Sequence, residues 1–590
     1  MRHWDVTVRA HGALALARLT AHFPNACCAW LPTLLPLAQA NALGVRHGAA
    51  IAMAAVVQQM EPAPLRACLA SDKTATLEGL LALARAFLPP HGALSAMTKT
   101  FGAELTLSGL SALAQALASR QHLALSPGTC DANVTSWIDL MEVTLTMSAP
   151  LLHAMACEAL AALFADLPID DVFLRRLRFY VAQTADKGLS NDSRAAYAFA
   201  LAQVPSVALF EHAPSMWCAE DGSILRALLK GTSLAMPGAE GRVASIRAIE
   251  RLLATCPAAA PAALFPAPLQ RSILDALFAA MDDYTTDARG DVGSWVRVAS
   301  MTCLAGFLGT HAMAKAPCPI TTDRSDKERI IALLLKQACE KIDKVRATAF
   351  ACLKRIFLSS LDASNKTPCP KTSVDVAGSQ SLIDVCLAQR YDLFLLIFSC
   401  HAGYVTCAID LMFRATRSIT RRDDVYLTAD RILAWMHVPA YQAAILEGML
   451  LSIGGLSESS VKEASRSLRA FLHTLPCMPS DQDRQERTSL RVILLTLCEL
   501  WQHAEKEDRV ASAFLVTLDT LLTDDGLMEN MVNQGRSHCL VPLRALAEAV
   551  SKKMVTKDAR KLLLQGRVYV PFNLLCAGAH RSPLRHVADL

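Results

Sequence analysis

The chain has 590 residues, so it is long enough for several domains or for one extended array. Hydrophobic residues make up 53% and charged residues 19%, which excludes a disordered or fibrous protein. Lys and Arg number 58 against 54 Asp and Glu, and a net charge of +4 is too small for a dedicated nucleic-acid binder. Only 6% of residues are aromatic, which favours packed helices over a β-sandwich.

The first segment, Met1–Phe23, has two possible interpretations. Its arginines and single acidic residue, Asp5, loosely imitate a mitochondrial presequence. Trp4–Arg9 also has the pattern of a packed helix start, and we favour that interpretation.

Helical periodicity then continues along nearly the whole chain, as in the apolar spacing of Leu151–Phe164. Segments of about 12–20 residues are separated by short breaks that contain Pro, Gly or Asp. We therefore predict an all-α fold of stacked antiparallel helix pairs, a HEAT/armadillo-type solenoid. The most polar break, residues 362–381, is predicted to be a mobile loop between a repeat array at 1–361 and a C-terminal helical repeat region at 382–590.

A Val-Arg pair recurs at helix starts, and its spacing is compatible with repeats of about 40–47 residues. Units of this kind have an unburied face and must stack on their neighbours. We predict that the valine enters the inter-helix core and that the arginine reaches a carboxylate or carbonyl of the neighbouring repeat. The arginines of this structural ladder are Arg9, Arg46, Arg297 and Arg346.

One apolar stretch, Leu393–Phe413, is about long enough to cross a bilayer. It contains His401 and Asp410, which favour a buried helix pair over a membrane span. We expect no membrane span.

Motifs for catalysis and for ligand binding are missing from the sequence. There is no Walker A loop, G-x-G-x-x-G, G-x-S-x-G, C-x-x-C or H-E-x-x-H, and Ser459-x-x-Lys462 is interpreted as a chance match. The 19 cysteines are dispersed, as in a reduced cytosolic protein. We predict no catalytic residue, no cofactor and no metal site.

The densest polar segment is Asp282–Arg297, which carries four acids, two arginines and two aromatic residues between apolar helices. It is either a recognition surface or a structural element in which Asp291 caps the next helix while Arg297 joins the ladder. Under the first interpretation the partner-contacting residues are Asp287, Arg289, Asp291 and Trp295.

The same segment resembles a known family. Residues 283–297, DYTTDARGDVGSWVR, are similar to DYTTDSRGDVGSWVR of tubulin-folding cofactor D, a large HEAT-repeat tubulin chaperone. Three more stretches agree in the same order: Trp4–Arg9, Cys339–Ala347 and Val438–Ser459. The first of them departs from the family after Arg9, where Ala10-His11-Gly12 replaces Leu-Ala-Ala.

The resemblance implies capture of β-tubulin and assembly or disassembly of the αβ-tubulin heterodimer. It implies partners among the other tubulin-folding cofactors and an Arf-like small GTPase, and a GTPase-activating role within that complex. The implied location is the cytoplasm, at the microtubule cytoskeleton. The chain corresponds to about the C-terminal half of a family member, so we expect a fragment, a split gene product or a truncated gene model.

Composition and repeat period fit a second class of protein equally well. A generic HEAT-repeat scaffold or adaptor for trafficking or transport would share both properties, and only the ordered family motifs separate the two. An enzyme is the third and least supported class.

Overall fold

A computed structural model of the chain gives its fold. The residues that it describes are 3–69, 74–88, 102–125, 130–165, 167–219, 222–256, 262–308, 320, 322–340, 342–364, 439–454, 458–477, 488–504, 508–534 and 536–553. Contacts divide the chain into two compact units: residues 1–300 with 313–320, and residues 301–312 with 321–590.

The first unit is almost entirely helical. Its α-helices are α1 Val6–His22, α2 Pro24–Cys28, α3 Leu31–Leu37, α4 Leu43–Gln58, α5 Pro62–Cys68, α6 Thr74–Leu81, α7 Ala103–Ser119, α8 Cys130–Leu145, α9 Pro150–Ala165, α10 Asp171–Ala185, α11 Asn191–Leu201, α12 Ser206–His212, α13 Ile224–Gly231, α14 Ala239–Thr255 and α15 Ala267–Ala280. The single hairpin among the described residues pairs β1 Thr286–Asp287 with β2 Gly290–Asp291. The next helix, α16 Gly293–Leu308, begins in this unit and ends in the other.

The longer helices of the first unit pack side by side in the order α1, α4, α7, α9, α11 and α14. Two hydrogen bonds fix the direction of α4 against α7. Arg46 Nε donates to Thr106 Oγ1 near the two helix starts (2.9 Å), and Ser119 Oγ donates to Gln58 Oε1 near the two ends (3.2 Å). The helices are therefore parallel neighbours, as expected when antiparallel pairs stack in register.

The second unit is helical as well. Its helices are α17 Arg324–Ala338, α18 Asp343–Ser364, α19 Pro439–Ile453, α20 Glu458–His473, α21 Leu490–Ala504, α22 Asp508–Thr523, α23 Asp525–Gln534 and α24 Arg536–Lys553. Helices α17 and α19 approach so closely that a Cβ added to Gly448 would lie 2.3 Å from Lys336 O. Ser452 Oγ donates to Cys339 O (2.5 Å), and Lys336 Nζ pairs with Glu447 Oε1 (2.8 Å).

These units confirm the predicted all-α class with HEAT/armadillo-type helix packing. The compact units divide at residues 300–320, N-terminal to the division predicted at 362–381. The first three residues of that predicted loop belong to α18, and the rest lies outside the described residues. The apolar stretch at 393–413 also lies outside them, and no helix within the described ranges is long and apolar enough to cross a bilayer.

The ladder arginines bind carbonyls, but not the carbonyls of the neighbouring repeat that we predicted. Arg9 Nη1 donates to His3 O (2.6 Å), Arg46 Nη1 to Ala40 O (2.9 Å) and Arg346 Nη1 to Glu340 O (2.6 Å). The carbonyl therefore belongs to the segment that leads into the arginine's own helix and not to the neighbouring repeat. A guanidinium on the first turns of a helix bends back most easily over the residues just before it.

The predicted burial of the paired valine is wrong at one position. Val296 and Val345 are buried, whereas the side chain of Val8 is 46% exposed and Val45 is half-buried. In α1 the arginine lies on the buried face, and the adjacent residue is turned about 100° away from it around the helix.

Candidate functional site

The candidate surface starts from the hairpin that follows α15. Thr286 pairs with Asp291, and Asp287 pairs with Gly290, so Ala288 and Arg289 form the turn. Gly290 has a φ of +102°, a backbone region that residues with a Cβ adopt only under strain. Gly290 therefore allows the tight turn, and the turn places Arg289 at the outer end of the hairpin.

The base of the hairpin is a buried charge pair. Asp283 is 1% exposed, and its Oδ2 accepts a hydrogen bond from Nε of Arg242 on α14 at 2.7 Å. Thr285 donates to Asp283 Oδ1 from its backbone N–H (3.1 Å) and its hydroxyl (2.7 Å). Arg242 Nη2 donates to the Thr285 hydroxyl (2.7 Å), so both charges are held within a hydrogen-bonded network.

A second arginine of the base, Arg297, is fully buried. Its Nη1 donates to Asp283 O (2.6 Å), and its Nη2 donates to Asp291 Oδ2 (3.2 Å). The guanidinium carbon also lies 4.1 Å from the ring centroid of Tyr284. This arginine fixes the segment before its own helix, as the other three arginines of the ladder do.

The start of α16 completes the base. Asp291 Oδ1 accepts from the N–H of Ser294 (3.0 Å), which is an N-cap interaction. Gly293 is required here, because a Cβ at that position would lie 2.2 Å from Asp283 O. Asp291 is thus engaged in the cap and with Arg297, and the structure places it in the base and not at the exposed tip.

The tip of the hairpin consists of Asp287, Arg289 and Trp295, together with Glu240 from α14. Arg289 Nη1 pairs with Glu240 Oε1 (2.5 Å), and Arg289 Nη2 pairs with Asp287 Oδ2 (2.6 Å). The guanidinium carbon lies 4.9 Å from the ring centroid of Trp295, which is 37% exposed. Half of the Arg289 side chain is exposed as well.

Electrostatics at the tip follow from these contacts. Hydrogen bonds from the Arg289 side chain, and then from its backbone N–H, lower the pKa of Asp287. The same pairing with Asp287, and then with Glu240, raises the pKa of Arg289. The tip is therefore a charged and aromatic platform on which Asp287 is ionised at neutral pH. No group of three or more metal-ligating side chains occurs among the residues that the structure describes.

Two residues of the site were missed by sequence reasoning, namely Glu240 and Arg242. The pair that marked the other ladder positions is reversed here, since Arg242 precedes Val243. An arginine in the first turn of an apolar helix, preceded by glycine, is the signal that would have found Arg242. Arg194 is also the fourth residue of its helix, α11, without the preceding glycine, and it donates to Asp186 O (3.1 Å) and Leu189 O (2.9 Å).

Comparison with known families bears on the second unit. Residues 328–561 match the family model described as tubulin folding cofactor D C terminal. The matched segment, about two fifths of the chain, is therefore similar to the C-terminal region of tubulin folding cofactor D. The matched range contains two of the stretches that suggested the family, around Val345 and around Gly454. The hairpin lies before the matched range, so partner contact at Asp287, Arg289 and Trp295 stays a prediction.

Among solved structures, one similar chain comes from "Structure of the Pds5-Scc1 complex and implications for cohesin function". It is 12% identical, and the alignment covers 92% of this chain and 78% of that chain with a TM-score of 0.21. A similarity at that score supports no structural argument, and the fold assignment depends on the helix packing described above.

Proposed function

We propose that this protein is a tubulin chaperone that binds β-tubulin and takes part in assembly and disassembly of the αβ-tubulin heterodimer. Its partners would be the other tubulin-folding cofactors and an Arf-like small GTPase, and in that complex it would stimulate GTP hydrolysis. It would act in the cytoplasm, at the microtubule cytoskeleton. The observation that carries this proposal is the cofactor D C-terminal match over residues 328–561.

The proposed mechanism is binding coupled to conformational change, without covalent chemistry. A helical repeat array offers a long surface on which a partner is held at several points. A partner that binds one conformation of the array more tightly shifts the population toward it, and the array in turn favours one state of the partner. The sequence carries no phosphate-binding loop, which agrees with a role in which tubulin or the GTPase supplies the nucleotide.

The hairpin tip is the surface that we propose for partner contact. Trp and Arg are the residue types that most often dominate interface energetics. Ion pairs to Glu240 and Asp287 hold Arg289 in place before any partner arrives, so less side-chain freedom is lost on binding. The base of the hairpin is buried and serves to hold the tip in position.

The function is tested with the purified chain and purified αβ-tubulin. We expect direct binding in a fluorescence titration and a faster exchange of labelled β-tubulin out of the heterodimer. Addition of the other cofactors and the GTPase should then raise GTP hydrolysis above the level of tubulin alone. If no binding occurs at tubulin concentrations of about 10 µM, where weak specific complexes form, the scaffold interpretation replaces this one.

The hairpin tip is tested separately with Arg289→Ala. We expect tubulin or GTPase binding to weaken by about tenfold, with a nearly unchanged Tm, because the residue is an exposed interface anchor. Arg271→Ala is the matched control, since Arg271 is an exposed arginine that pairs with Asp275 within α15. Arg297→Ala should show the reverse pattern, a lowered Tm. If Arg289→Ala melts early and binds normally, the tip is structural.

A further inference from the structure

A second surface of the first unit, far from the hairpin in sequence, is an apolar groove of about 670 Å³. It lies across one face of α1, α4, α7 and α9. Its floor contains small side chains of α4 and α7, such as Ala55 and Ala112. Its walls include Leu14 of α1 and Leu151 of α9, which are 53% and 77% exposed.

The dimensions of the groove fit one helix. Its lining follows α4 from His47 to Gln59 and α7 from Glu104 to Ala116. Because the two helices are parallel neighbours, the floor runs along them for about 18 Å at the helical rise of about 1.5 Å per residue. Half of a helix of that length, about 10 Å across, fills about 700 Å³. The groove therefore has the length and the volume to half-enclose a helix of about three turns.

Charge on the lining is confined to one end. Glu104 is exposed and is the single lining residue with a formal charge at neutral pH. Burial, together with nearby Arg9, lowers the pKa of His47 to about 4, so that imidazole is neutral. The opposite end carries the uncharged amides of Gln58, Gln59 and Gln115. An occupant gains most if it is apolar along its length and cationic only near Glu104.

We propose that this groove docks an amphipathic helix of a partner protein, about three turns long, with a small apolar face and a lysine or arginine set against Glu104. Helix-in-groove recognition uses apolar anchors at i, i+3, i+4 and i+7, and the alanine floor leaves room for such anchors. A second copy of this chain is a poor occupant, because a two-fold interface requires this concave face to fit itself. An anionic membrane surface is disfavoured by the carboxylate of Glu104.

The test uses the full chain and fluorescence anisotropy with synthetic, labelled helical peptides of about 14 residues. The peptides carry an Ala/Leu face and one lysine, placed at the first turn in one peptide and at the last turn in the other, so that both directions are sampled. A second pair carries glutamate in place of lysine. We expect one lysine peptide to bind with a Kd on the order of 10–100 µM.

Three variants locate the binding. Ala55→Arg fills the floor at a half-buried position and should weaken binding at least tenfold, whereas Ala182→Arg, on an exposed site of α10, should leave it unchanged. Glu104→Lys should weaken the lysine peptide and rescue the matching glutamate peptide. Thermal melts of each variant confirm that the array remains folded.

Three outcomes overturn the proposal. The first is no binding of either lysine peptide to the wild-type chain below about 1 mM, the weak limit of specific association. The second is binding that survives Ala55→Arg or ignores the charge at residue 104. The third is a wild-type dimer in sedimentation that Ala55→Arg dissociates and that the peptides do not disturb, which would assign the groove to a second copy. The assay contains no tubulin, so its failure is independent of the proposed function.

Discussion

The base and the tip of the hairpin use the same residue types for different purposes. At the base, the side chains of Arg242 and Asp283 are 4% and 1% exposed and lie within a closed hydrogen-bond network. At the tip, Arg289 and Asp287 form an equally short ion pair at 50% and 39% exposure. Solvent screens the exposed pair, whereas the loss of one buried partner leaves an uncompensated charge. Burial, and not the contact distance, therefore separates a structural pair from a surface available to a partner.

The largest expected effect comes from a direct comparison of the two arginines. Arg242→Ala should lower the free energy of unfolding by about 3–5 kcal/mol, because Asp283 stays buried without its cation. Arg289→Ala should leave the unfolding curve nearly unchanged. Urea denaturation of the two variants beside the wild type measures both values. Similar losses of unfolding free energy in the two variants would show that the exposure of an ion pair does not decide how much it stabilises the hairpin.

A smaller effect extends the comparison to a ladder arginine whose partner is neutral. Arg9 Nε donates to His47 Nδ1 at 3.0 Å, and burial, then the charge of Arg9, lowers the pKa of His47 from 6.5 to about 4. The unfolded chain therefore binds this proton first, so stability is lost as the pH falls from about 6.5 to 4. The loss should be about 3 kcal/mol.

The variant His47→Asn tests that value, because its Oδ1 keeps an acceptor for Arg9 but does not titrate. Its stability between pH 7 and pH 4 should fall by about 3 kcal/mol less than that of the wild type. His22→Asn is the control, since His22 is exposed at the end of α1. An equal acid response of wild type and His47→Asn would mean that this imidazole does not sense pH.

The smallest expected effect concerns the backbone of the base. Gly293→Ala should cost about 1–3 kcal/mol, because its Cβ would overlap the carbonyl of Asp283. Gly241→Ala on α14 is the counterpart, since no atom outside the adjoining helix backbone lies within 4 Å of its Cβ position. That change should stabilise the helix by up to about 1 kcal/mol. Chemical denaturation measures the change in the free energy of unfolding for each variant. Equal losses in the two variants would refute the close approach of Gly293 to the carbonyl of Asp283.

Local sequence was enough to predict the helical class. Periodicity reports which residues of a helix share a face, and Asp5 and Asp291 are N-caps that a sequence displays directly. It could not show that Arg242 meets Asp283, since 41 residues separate them and their contact depends on how two repeats stack. Nor could it show that Asp287, four residues before Asp291, remains at the surface in an ion pair with Arg289.

The ladder also has a consequence for cooperativity. Arg46 holds its own preceding segment through Ala40 O and, through Thr106, the helix of the adjacent repeat. One guanidinium thus stabilises the start of its own helix and the interface with its neighbour at the same time. Loss of the neighbour would leave Arg46 Nε without its acceptor on Thr106. The smallest segment whose amide protons exchange in one cooperative unfolding event should then be a pair of adjacent repeats. Local unfolding should therefore extend along the array two repeats at a time.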